Sequence, residues 1–74
     1  MTDNEYDVLF ALLSSEYHDG RDPIGDPIWV DCVMEPFGTS AGGIMASLVR
    51  KGWVRTDGEV CSITAAGAAA FATR

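Results

Sequence analysis

The chain is expected to fold as a single, mainly α-helical domain with one small β-hairpin. Three features of its 74 residues predict this. Apolar residues recur at helical spacing between residues 6 and 17 and again between 41 and 49. A glycine stop at Gly52 is followed by two short β-prone runs around Asp57-Gly58. An alanine-rich segment then follows Thr64.

Each element has its own local cause. Thr2-Asp3-Asn4-Glu5 fits a capping box, in which the Thr2 hydroxyl and the Glu5 carboxylate satisfy each other's backbone amides. The first helix follows, with Tyr6, Leu9, Phe10, Leu13 and Tyr17 on one wide face and Val8 and Leu12 beside it. Residues 18–25 are dense in Asp, Gly and Pro and read as a loop. Asp26 is expected to cap a second helix, with Pro27 at its first position and Ile28, Trp29, Cys32 and Val33 on its apolar face. That helix must stop before Pro36, because the residue preceding a proline is pushed out of helical geometry.

Phe37-Gly38 makes the turn into a third helix, which Thr39 or Ser40 would cap and along which Ala41, Ile44, Leu48 and Val49 recur. Gly42 and Gly43 each lower helix stability by about 1 kcal/mol relative to Ala, which implies a frayed first turn or close approach by another backbone. Arg50 and Lys51 suit the negative end of the helix dipole, and Gly52 supplies a left-handed stop. With Asp57-Gly58 as a two-residue turn, Val54 pairs with Cys61 and shares a face with Ile63, so these three point inward. Thr64 caps a final helix whose alanines bury little, leaving Phe71 as its anchor. Trp53, directly after the Gly52 stop, packs back on the core; Trp29 is the better candidate for an exposed contact.

Composition narrows the function classes. No run approaches the ~18 apolar residues of a membrane span, and Asp3, Glu5 and Asp7 are unlike a signal-peptide start, so the expected compartment is the cytoplasm. Cys32 and Cys61 read as two buried free thiols, because a disulfide-framed secreted domain usually carries more cysteines. Two cysteines and one histidine make a poor four-ligand zinc site. No catalytic constellation is present. His18, Asp19 and Asp22 lie in a glycine-rich loop, Asp19, Asp22 and Asp26 do not have calcium-loop spacing, the serines have no neighbouring base, and Gly42-Gly43 lacks a phosphate-loop lysine. An enzyme, a cofactor, a metal and a small-molecule substrate are therefore not expected.

Helix, glycine stop, charged hairpin and capped helix together resemble the winged helix-turn-helix superfamily, in the broad style of MarR-like regulators. Leu48 to Arg55, LVRKGWVR, resembles the hydrophobic-basic-glycine junction after its third helix, and Ile63 to Gly67, ITAAG, resembles the Thr-x-x-Gly that opens its next helix. The resemblance spans the whole chain in the order α-α-α-β-β-α. It implies a DNA-associated regulatory module, acting as a homodimer or within a larger complex, with the third helix in the major groove. Arg50, Lys51 and Arg55 would anchor phosphates, and Ser40 and Ser47 would be weak readers of bases.

Charge supports an alternative. The net charge is −6, distributed as −8 over residues 1–37 and +2 over residues 38–74. The acidic half places Asp19, Asp22, Asp26, Asp31 and Glu35 in the loop and the second helix, where one negative face could bind a basic partner. By analogy with small phage-encoded inhibitors and adaptors, that partner would be a protein that itself handles nucleic acid.

Overall fold

A computed structural model describes all of residues 1–74. Four helices surround a three-stranded antiparallel sheet: α1 (Asp3–Ser14), β1 (Ile28–Trp29), α2 (Val30–Met34), α3 (Ala41–Arg50), β2 (Val54–Thr56), β3 (Val60–Ile63) and α4 (Ala65–Ala72). Short 3-10 segments at Glu16–His18 and Glu35–Ser40 connect them, the second kinked at Gly38 with φ +56°. The expected mainly helical domain is present, with a sheet one strand larger than the hairpin expected. No helix is long and apolar enough to cross a membrane.

The capping box forms as expected. The Thr2 amide donates to Glu5 Oε1 at 2.8 Å, and the Glu5 amide donates to Thr2 Oγ1 at 3.1 Å. The buried stripe of α1 differs from the expected one: Val8, Leu9 and Leu12 face the core, with Glu5 beside them. Phe10 and Tyr17 are exposed, and Tyr17 lies beyond the helix, which ends at Ser14. Tyr6 stacks on Phe71 of α4 with centroids 4.6 Å apart, so the aromatic side of α1 forms a lateral seam and the aliphatic side forms the core.

Asp26-Pro27 does not open a helix. Ile28 and Trp29 pair with Cys61 and Val60 of β3, and α2 begins only at Val30, with no side-chain cap. The reason is the open edge of β3, whose backbone groups need partners more than a short capped helix needs one extra turn. Strand alternation then sends Ile28 into the core and leaves Trp29 exposed. Cys32 is exposed, contrary to expectation, whereas Cys61 is buried; both are free thiols.

The hairpin register is Val54↔Ile63, Arg55↔Ser62 and Thr56↔Cys61, two residues from the predicted pairing. Gly58-Glu59 therefore forms the tip. Asp57 closes it by accepting the amides of Glu59 and Val60 through Oδ1 at 2.9 and 3.0 Å, and Gly58 takes a φ of +102°. A slip of two preserves the side-chain faces, so Val54, Cys61 and Ile63 still point inward. They complete a core with Val8, Leu9, Leu12, Ile28, Val33, Met34 and Leu48.

Gly52 (φ +77°) ends α3 as expected. Ser40 makes no cap, because its own backbone is already helical (φ −79°, ψ −12°) as it enters α3. Nothing lies within 4 Å of a Cβ built on Gly42 or Gly43, and both residues are helical, so neither a frayed turn nor a close backbone accounts for them. Close approach occurs at Gly67 instead, where a Cβ would sit 2.2 Å from the Trp53 carbonyl oxygen. Thr64 tightens this junction. Its amide donates to Trp53 O at 3.0 Å, its hydroxyl donates to Gly52 O at 2.7 Å and accepts from the Gly67 amide at 3.0 Å.

Candidate functional site

The two faces of α3 have different roles. On the inner side, Ser47 Oγ donates to Glu5 Oε2 at 2.8 Å, and Lys51 Nζ donates to both Glu5 oxygens at 2.8 Å. Glu5 is 2% exposed. Burial alone would raise its carboxyl pKa, but the bonds from Lys51, the Thr2 amide and Ser47 outweigh that and lower it to about 2. Lys51 also lies 4.8 Å from the Trp53 ring centroid. Two of the five expected DNA contacts, Ser47 and Lys51, are thus tied to the first helix.

The outer side carries Gly42, Gly43, Ala46, Val49 and Arg50, all exposed. Gly42, Ala46 and Val49 of this side belong to the floor of an open groove of about 620 Å³. Val30 and Met34 form one wall, Gly42, Met45, Ala46 and Val49 the floor, and Thr56 and Arg50 stand at the far side. Beyond the α2 wall the surface continues past Asp31 and Glu35, which share an adjoining depression with Val30, Met34 and Ala41. Two methionines give the walls adaptable shape, and the small floor residues allow close approach. Of the remaining expected DNA contacts, Ser40 is exposed at the start of α3 and makes no side-chain hydrogen bond. Arg50 borders the groove and Arg55 lies exposed on β2.

The expected acidic face divides. Asp31 and Glu35, one helical turn apart, line the depression that adjoins the groove across the α2 wall. Asp19 and Asp22 lie exposed on the connecting loop, where Asp22 Oδ1 accepts the Ile24 amide at 3.0 Å. Asp26 is 16% exposed and turned inward. Its Oδ2 accepts from His18 Nδ1 at 2.8 Å, and both its oxygens accept from Arg21 at 3.2 Å. His18 is itself buried, and its Nε2 donates to the Leu12 carbonyl. A carbonyl and a carboxylate can only accept, so the pair of bonds suits an imidazolium. The Leu12 carbonyl first, then Asp26, hold the His18 pKa above its usual 6.5, and Arg21 and His18 hold that of Asp26 low.

Sequence reasoning missed both the Glu5 cluster and the groove. Ser47 and Lys51, four residues apart, signal a shared helix face, but their distant carboxylate partner has no local mark. Val30, Met34 and Met45, which help shape the groove, are not among the apolar residues that periodicity picks out. Comparisons with protein-family models, curated proteins and solved structures find no match to the chain.

Proposed function

We propose that this protein is a winged-helix interaction module that binds a protein partner through the outer face of α3, rather than reading DNA with it. The element order α1-β1-α2-α3-β2-β3-α4, with β1 completing the hairpin sheet, supports the winged-helix reading. One observation carries the functional one. The face that would enter a major groove is an apolar trough with a single cation, Arg50, at its edge. Base readout needs bidentate Arg, Lys, Asn or Gln side chains, and glycine, alanine and valine offer none. Phosphate anchoring would fall to Arg50 and Arg55, with Asp57 and Glu59 beyond them at the wing tip. An exposed apolar groove in a chain of net charge −6 suits a basic, nucleic-acid-handling protein.

Fluorescence anisotropy with random-sequence duplex DNA at low salt tests this. The proposal expects no binding up to ~10⁻⁴ M, the weak end of ordinary non-specific contacts. Micromolar binding that weakens with salt and is lost in Arg50→Ala/Arg55→Ala would replace it with the DNA-associated reading.

A further inference from the structure

We infer that the occupant of the α3 groove is a basic amphipathic helix of the partner protein, seated by about two turns. The inference rests on the protein-binding reading above and names the chemistry of what is bound.

Shape gives the first argument. The floor is a rigid helix, running from Ala41 to Val49 over about 12 Å at 1.5 Å per residue. Gly42 and Ala46 are four residues apart, so they lie in line on that floor and leave a shallow channel between the α2 wall and Thr56. A channel of that length accepts anchors at positions i, i+3 or i+4, and i+7 of a second helix. The empty space beside Gly42, with nothing within 4 Å of a would-be Cβ, is room for one such anchor.

Charge gives the second. Asp31 and Glu35 are both exposed and flank the apolar wall formed by Val30 and Met34. The hairpin tip adds two more: the Val30 amide donates to the Glu59 carbonyl at 2.8 Å, which brings exposed Asp57 and Glu59 beside the same wall. Asp57 is held ionised by the Val60 and Glu59 amides. Arg50 is the only base at the groove. A helix with apolar anchors on one face and Lys or Arg on the flank turned towards α2 and the hairpin tip would place its cations over these acids and away from Arg50. A second copy of this chain fits less well, since each copy carries −6 and would bring the same acids to the same rims. Three apolar anchors can be seated without rearrangement of the core, because the groove already lies open between formed elements.

The test uses two labelled 18-residue helical peptides with identical leucine positions, one with lysine and one with glutamate at every other site. Anisotropy is measured against the full chain, and binding is mapped by amide chemical shifts. The Leu/Lys peptide is expected to bind at least tenfold more tightly than the Leu/Glu peptide, with shifts concentrated at Gly42, Met45, Ala46 and Val49. Ala46→Arg should abolish those shifts, and Asp31→Lys with Glu35→Lys should reduce the lysine preference at least tenfold. The shift map of the unaltered chain decides the matter even if a variant folds poorly. Equal affinity for the two peptides, or shifts outside the groove, overturns the helix assignment. The protein-binding reading would then still stand on its own test, the absence of DNA binding. Groove shifts that appear on raising protein concentration without peptide would assign the site to a second copy. The same shifts produced by duplex DNA would overturn both proposals.

Discussion

Replacing Lys51 with methionine tests how the first helix is tied to the third. The substitution keeps the apolar stem and removes the ammonium that donates to both Glu5 oxygens. Glu5 then remains buried with only the Thr2 amide and Ser47 hydroxyl as partners. Its carboxyl pKa of about 2, against an ordinary 4.5, corresponds to about 3 kcal/mol of stability at neutral pH, at ~1.4 kcal/mol per pH unit. Removing one partner of a buried pair typically costs about 3–5 kcal/mol. Lys51 is 38% exposed, so water screens part of the attraction and the expected loss is about 2–3 kcal/mol. A domain of this size has only about 4–11 kcal/mol in total, so the loss would be conspicuous in urea denaturation.

The pH dependence provides the second half of that test. Because the folded pKa of Glu5 is depressed, its contribution is fully present above about 4.5 and is lost as pH falls towards about 2. In Lys51→Met, burial dominates, the Glu5 pKa rises and the acid transition moves to higher pH. Glu5→Gln retains an acceptor for the Thr2 amide and removes the charge, so it should flatten the acid limb with a smaller loss at pH 7. A cost under ~0.5 kcal/mol for Lys51→Met, with the acid limb of the denaturation profile unchanged, would show that Lys51 does not hold Glu5 in the folded chain.

Gly67→Ala should destabilise by more than about 2 kcal/mol in thermal unfolding despite alanine's better helix propensity, because its Cβ would lie 2.2 Å from the Trp53 carbonyl oxygen; a neutral result would mean the α4 junction is looser than described. Gly42→Ala should behave oppositely, raising stability by up to about 1 kcal/mol while weakening the Leu/Lys peptide, and a variant that gained stability with unchanged peptide affinity would argue against the groove. The folded pKa of His18 is raised, so its contribution is present below about 6.5 and is lost as pH rises through the folded value. His18→Gln should therefore flatten the stability profile above about 6.5, and an NMR titration of the wild-type imidazole at or below 6.5 would contradict the bonds assigned to it.

Much of the architecture is legible in local sequence because its causes are local. Thr2 with Glu5, Gly52, and Thr64 with Gly67 each mark a helix boundary through one side chain or one backbone angle, and the structure places a boundary at each. The strand Ile28–Trp29 was not legible. Asp26-Pro27 is a sound helix start, and only the unpaired edge of β3, more than 30 positions later, makes the extended form preferable. Asp57-Gly58 misplaced the hairpin tip by one residue because the Asp57 side chain, not its backbone, organises the turn. The site suffered from the same limitation. Arg50 and Lys51 are adjacent in sequence and look alike as phosphate anchors, yet a step of about 100° around the helix puts Lys51 on Glu5 and Arg50 at the groove.

The central claim, that the outer face of α3 meets protein rather than nucleic acid, is tested most directly by photo-crosslinking from that face in the native cell. A photoreactive phenylalanine analogue in place of exposed Thr56 stands at the groove's rim and leaves its floor open. A crosslinked species is expected that is sensitive to protease and resistant to nuclease, and that is lost when Asp31→Lys and Glu35→Lys are added. Crosslinks to nucleic acid alone, unaffected by those charge reversals, would contradict the claim.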